Sequence, residues 1–168
     1  RDLLKQRMAK QNCFDETADD LITTSGAQQA NELSCKVLLN RGDTLFCEAP
    51  SFIGSLNAFR SYGVDLVGVP MEEDGMDLAA LEEAVKASKS PKLVYVIPNF
   101  QNPTGLSYTK EVHDKVVEIL KGTDILLIED NPYRELRFAG EATDSFGKEL
   151  GEQCCMLGTF SKIVAPGM

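Results

Sequence analysis

Short runs of β-prone, near-continuous apolar residues alternate with stretches of helical spacing along this chain. The runs are TLFCEA (44–49), DLVGVP (65–70), KLVYVIP (92–98), DILLIED (124–130) and CCMLGTFS (154–161), with LITTS (21–25) a weaker candidate. A strand that is apolar on successive residues is buried on both faces, the pattern of a parallel sheet covered by helices. Between the runs, Leu33 and Val37 share one helical face after Gly26. Asp77 can cap a helix that points Leu78, Leu81 and Val85 one way, and Ser107 can start another with Val112, Val116 and Leu120 aligned. Strand–helix alternation implies right-handed crossovers. The expected fold is therefore α/β: three α/β/α layers around a mostly parallel sheet.

Composition narrows the function classes. At 168 residues the chain is one compact domain or a piece of a larger one. Its net charge of −9 argues against a duplex-binding face, which needs clustered Lys and Arg. No apolar run approaches the roughly 20 residues of a membrane span, and RDLLKQRMAK has no apolar signal-peptide region. Cys13, Cys35, Cys47, Cys154 and Cys155 are odd in number and lack CxxC spacing, so they read as reduced thiols of a cytoplasmic protein rather than a disulfide framework or zinc site. His113, the single histidine, lies among charges and reads as a surface or boundary residue. MEEDGMD (71–77) reads as a solvated turn, and no metal site is expected.

Ligands of parallel α/β sheets bind beyond the carboxyl ends of the strands, so the residues just after each run carry the most information. After LITTS, Gly26 allows a tight turn into a helix whose free N–H groups can bind phosphate. After TLFCEA, Phe52 can cover a flat ring. After KLVYVIP, Asn102 sits on a loop stiffened by Pro103 and turned by Gly105. Asp130 closes an apolar strand, where a carboxylate needs a cation or donors, and Tyr133 follows. After CCMLGTFS comes Lys162, behind Thr159 and Ser161, an amine that can act as a Schiff-base nucleophile. Each taken alone has a plain structural reading: a turn, a core Phe, an Asn-Pro turn, a solvated strand end, a surface lysine. Together they assemble a phosphate cradle, an aromatic cover, an amide, a carboxylate, a phenol and an amine on one sheet edge.

The motifs SGAQQA, EAPSF, NPTG, EDNPY and TFSK, in this order and across essentially the whole chain, resemble the class I/II aminotransferases of the fold-type I pyridoxal phosphate enzymes. The flavour is closest to the 2-aminoadipate and aromatic branch. The resemblance implies a pyridoxal 5'-phosphate cofactor and transfer of an amino group from an amino acid to a 2-oxo acid. It implies that Lys162 forms the Schiff base and then moves a proton between Cα and C4′. It implies that Asp130 pairs with the pyridine nitrogen, and that Asn102 and Tyr133 bond the ring's phenolic oxygen. Gly26, Ala27 and Gln28 match the phosphate loop, Thr159 and Ser161 lie just before the lysine, and Phe52 matches the stacking aromatic, usually Tyr. Family members are usually homodimers. In the family an arginine a few residues beyond the lysine binds phosphate, and a small C-terminal domain grips the substrate carboxylate. Neither is found in residues 1–168, which are expected to form a partial large domain that binds cofactor weakly and turns nothing over alone. A different class remains open, the cofactor-sensing domain of a MocR-like transcription regulator, and so does an inactive fragment.

Overall fold

The computed structural model describes residues 1–166. Helices α1 (Asp2–Ala9) and α2 (Gly26–Leu38) precede strand β1 (Thr44–Ala49). Then come α3 (Ile53–Ser61), β2 (Asp65–Glu72), β3 (Gly75–Met76), α4 (Leu78–Ala87), β4 (Pro91–Val96), α5 (Lys110–Leu120), β5 (Leu126–Asp130), α6 (Gly147–Leu150) and β6 (Cys154–Leu157).

One six-stranded sheet runs in the order β3-β2-β1-β4-β5-β6. All pairings are parallel except the β2–β3 hairpin. The register aligns Ala49 with Pro70, Val96 with Glu129, and Asp130 with Leu157. The carboxyl ends of five parallel strands therefore share one edge.

Two apolar cores lie on the two faces of the sheet, which gives the three layers the sequence implies. On one face Phe46, Val94, Val96 and Leu127 pack with Leu81 of α4 and with Val112, Val116 and Leu120 of α5. On the other, Leu45, Leu93, Tyr95 and Ile128 pack with Cys35 of α2 and Phe59 of α3. Successive strand residues alternate between the cores, as the period of two requires. Asp77 caps α4 by accepting the Ala80 N–H at 3.0 Å.

Several expectations are corrected. LITTS is not a strand: residues 21–25 are irregular, and Ile22 is 80% exposed. A short run needs a neighbouring strand to pair with, and the sheet ends at β6. Strand β6 stops at Leu157 because its partner β5 ends opposite it at Asp130, and the chain from 158 to 161 leaves the ladder. Leu33 and Val37 face solvent; the inward face of α2 is Asn31 and Cys35. Helix α5 starts later than Ser107, because Thr109 is its cap and accepts the Val112 N–H. Ser107 stays in the loop and accepts the Phe100 N–H.

His113 is buried rather than at the boundary. Its ring stacks on Phe146 at 4.1 Å between centroids. The charges beside it in sequence are on the outer face of α5, a separation that a helical period imposes and a linear reading misses. In MEEDGMD, residues 72–74 are solvated as expected, but Gly75 and Met76 are buried in the hairpin. No helix among the described residues is long and apolar enough to cross a membrane. All five cysteines are free thiols, and burial pushes Cys35 and Cys47 up to about 11, which leaves them poor nucleophiles.

Candidate active site

Asp130 is the last residue of β5, and its side chain is buried. Tyr95 donates its phenol to Asp130 Oδ2 at 2.6 Å. The Tyr95 oxygen lies 2.9 Å from Ser55 Oγ, which accepts from Asn31 Nδ2 at 3.0 Å. With the phenol's one proton directed at the carboxylate, Ser55 is left to donate to the phenol oxygen. The chain of bonds joins α2, α3, β4 and β5 at one point. Burial pushes the Asp130 carboxyl up, while Tyr95 and Asn31 pull it down.

A second acid, Glu48, lies near the end of β1 and is 1% exposed. It accepts the Ile97 N–H at 3.0 Å, the Gln101 amide at 2.9 Å and the Tyr108 hydroxyl at 3.0 Å. Burial raises it to about 7 against those hydrogen bonds, with a smaller push from the Asp130 charge.

Glu129, inside β5, is the third buried acid. It accepts from Ser145 Oγ at 2.6 Å, the Phe146 N–H at 2.9 Å and Asn131 Nδ2 at 2.8 Å. Asn131 accepts in turn from Asn99, and Asn99 from Arg137, which lies over the Phe100 ring. This relay ties the loop after β4 to the loop after β5.

The helix starts converge on the same edge. Gly26 opens α2 with φ +80°, a conformation glycine adopts without strain, and Ser25 gives the helix no side-chain cap. A Cβ on Gly26 would meet open space. Gln28 donates to the Gly54 carbonyl at 3.2 Å, which joins the first turns of α2 and α3. Phe52 is the cap residue of α3 and is 38% exposed. Its ring crowds Gly54, where a Cβ would come within 2.6 Å.

Beyond β6, the Asn131 N–H bonds the Leu157 carbonyl at 2.9 Å, so the segment after Leu157 leaves the sheet beside the Asp130 end. Thr159 and Ser161 hydroxyls lie 3.1 Å apart, and the Ser161 N–H points at Thr159 Oγ1. Lys162 follows in a turn, exposed, with Ile163, Val164 and Ala165 N–H groups closing on the Phe160 carbonyl. Tyr133 is half-buried and precedes the short turn Arg134–Leu136. Asn102 is half-buried and Ala27 lies in the first turn of α2.

The structure joins the α2 start to Asp130 through Asn31, Ser55 and Tyr95. Reading the sequence missed those three, and also Glu48, Glu129, Asn99, Gln101 and Asn131. A signal existed for two of them: an acid inside an apolar strand run, as in TLFCEA and LLIED, needs donors wherever it is buried. Asn31 and Ser55 gave none.

A family model described as aminotransferase class I and II matches residues 1–166. The aromatic-amino-acid aminotransferase 1 of Thermococcus litoralis is 40% identical over 158 residues, covering 88% of this chain and 37% of the relative. The 2-aminoadipate transaminase of Thermus thermophilus is 38% identical over 155 residues, covering 89% and 38%. A crystal structure of Pyrococcus horikoshii kynurenine aminotransferase, in complex with PMP, superposes with a TM-score of 0.92. It is 35% identical and covers 99% of this chain and 42% of that one. A more distant relative is the uncharacterized HTH-type transcriptional regulator YisV of Bacillus subtilis, 34% identical over 154 residues and covered over 31% of its length. The chain thus spans less than half the length of the proteins it matches. Over residues 1–166 the chain belongs to the aminotransferase class I and II family.

Proposed function

We propose that this chain forms the cofactor-binding part of a pyridoxal phosphate-dependent aminotransferase, which moves an amino group from an amino acid to a 2-oxo acid. The observation that carries the reading is the shared sheet edge. A buried carboxylate at the end of β5, two adjacent hydroxyls beyond β6, and the start of α2, joined to the start of α3 through Gln28 and Gly54, lie at this edge of a class I/II chain. These groups fit the cofactor's chemistry. The Gly26 N–H is taken by the Thr24 carbonyl at 3.0 Å, and open space beside Gly26 leaves the Ala27 and Gln28 N–H groups accessible to a phosphate.

When bound, pyridoxal phosphate supplies an electron sink for the carbanion formed at the substrate Cα. Gly26, Ala27 and Gln28 would hold the phosphate, with Thr159 and Ser161 adding hydroxyl donors. Asp130 would hold the proton on the pyridine nitrogen; a cation there offsets the desolvation that raises its carboxyl. Asn102 and Tyr133 would bond the ring oxygen, and Phe52 would cover the ring face. Lys162 Nζ would anchor the cofactor and then move the proton at Cα. Amino acid and 2-oxo acid are the substrates of this reading, and a homodimer is its assembly. Five free thiols fit a reducing compartment such as the cytoplasm.

The test is to titrate the chain with pyridoxal phosphate, reduce with borohydride and map the labelled lysine. Label concentrated on Lys162, and lost in Lys162→Ala, supports the reading. Label spread over surface lysines and unchanged in that variant removes it. The regulator relative keeps a second reading open, a cofactor-sensing domain using the same residues. It is separated by whether the intact gene encodes a winged-helix segment upstream of Arg1.

A further inference from the structure

We propose that Glu48 and Gln101 form a polarity clamp: Glu48 fixes the orientation of the Gln101 amide, and that amide fixes the 97–108 loop carrying Asn102. Its link to the cofactor rests on the reading above.

A glutamine amide can be seated in two ways, and here only one satisfies its neighbours. Gln101 Nε2 faces two acceptors, Glu48 Oε2 at 2.9 Å and the Pro50 carbonyl at 2.8 Å. Gln101 Oε1 faces two donors, the Thr104 N–H at 2.9 Å and the Thr104 hydroxyl at 2.7 Å. Flipping the amide would set donors against donors and acceptors against acceptors in a buried site. The loop is closed by the Gln101 N–H on the Leu106 carbonyl at 2.7 Å and the Gly105 N–H on the Gln101 carbonyl. Asn102 is the next residue, between this anchor and Pro103.

Glu48 is the member that sets the direction. The Ile97 N–H and the Gln101 amide can only donate to it, and they use different oxygens. The position therefore requires acceptors on both oxygens. Glu48→Gln keeps the shape but must set its NH2 either against Gln101 Nε2 or against the Ile97 N–H, both donors of the 97–108 loop. Gln101→Glu sets two carboxylates against each other. The swap Glu48→Gln/Gln101→Glu restores a donor–acceptor pair with reversed polarity. It keeps acceptors for Ile97, Tyr108 and Thr104, but it sets a carboxylate oxygen against the Pro50 carbonyl, so it restores the pair and not the whole site.

The experiment measures amide hydrogen exchange by peptide in the full 168-residue chain and the three variants. In each single variant, exchange over residues 99–106 should rise about tenfold, with peptides of α5 unchanged. The swap should bring that loop partway back, to slower exchange than in either single variant. Unchanged loop exchange in Glu48→Gln overturns the clamp, and so does a swap no better than either single variant. Loosening spread equally into α5 makes Glu48 a general core residue and also overturns it.

Pyridoxal phosphate affinity, read by fluorescence titration, tests the link to Asn102. Glu48→Gln should weaken it about tenfold, as should Asn102→Ala, and the swap should recover part of it. Unaltered affinity with a loosened loop overturns the positioning role. No uptake by the unmodified chain refutes the cofactor reading instead, and the clamp then stands or falls on exchange alone.

Discussion

Tyr95 and Asp130 lie on neighbouring parallel strands, and the phenol of one meets the carboxylate of the other at 2.6 Å inside the domain. The pair fixes the position of an acid that burial would otherwise drive toward its neutral form. Burial raises the Tyr95 phenol first of all, and the Asp130 charge adds to this, so the proton stays on the phenol.

Tyr95→Phe should therefore destabilise the chain by about 1–3 kcal/mol at neutral pH, because a buried carboxylate loses a donor. The loss should shrink as pH falls through the raised range of the Asp130 carboxyl, because the protonated acid tolerates burial better. Urea melts at neutral and at mildly acidic pH check this. An equal loss at both would mean that the hydroxyl matters only for packing.

Stability should fall as pH rises from about 5 to about 7. The carboxyls of Glu48, Glu129 and Asp130 are all raised in the folded chain, each by desolvation first, Glu48 to about 7. In that window the folded chain holds more protons than the unfolded one, so raising the pH favours unfolding. Acids nearer the surface, Asp20, Asp43 and Asp114, are lowered by hydrogen bonds, and their stabilisation is lost as pH falls through their range. The urea midpoint should thus peak near pH 5, and Glu48→Gln should flatten the upper limb. A midpoint that climbs from pH 5 to 7 contradicts the assignment.

Gly54→Ala should displace the Phe52 ring. The new Cβ would stand 2.6 Å from ring carbon Cε1 and 2.7 Å from Cζ. The ring is partly exposed and can swing away, so stability should change by less than about 1 kcal/mol. Pyridoxal phosphate affinity should weaken several-fold. In a Phe52→Ala background the same substitution should change nothing further. An additive loss would show that Gly54 acts apart from Phe52.

His113→Leu should leave stability unchanged or raise it by up to about 1 kcal/mol. The buried Nε2 has no partner, and Nδ1 has Asp114 at 3.3 Å, a carboxylate that also pairs with Lys110. A leucine keeps the contact with Phe146 and removes the unpartnered nitrogen. A destabilisation above about 1 kcal/mol in urea would show that Nδ1 contributes more than Nε2 costs.

The sequence by itself determined the layer order. Runs such as KLVYVIP are apolar on successive residues, and a strand of that kind is satisfied only between two helix layers. It also determined that Asp130 and Asn102 lie at or beyond strand ends, because each closes or follows an apolar run in chain order. What it left undecided were contacts between residues far apart in the chain. Residues 21–25 carry a strand's composition, yet pairing needs a neighbour, and none of the described strands lies beside them. Asn31 and Ser55 look like ordinary helix residues until folding places them behind Tyr95, 64 and 40 residues away respectively, and within reach of Asp130. Glu48 and Gln101 are 53 residues apart, and only the β1–β4 register brings their donors and acceptors face to face. Burial then raises the Glu48 carboxyl. Local pattern records which face of an element is apolar; which polar groups are desolvated together is decided by packing alone.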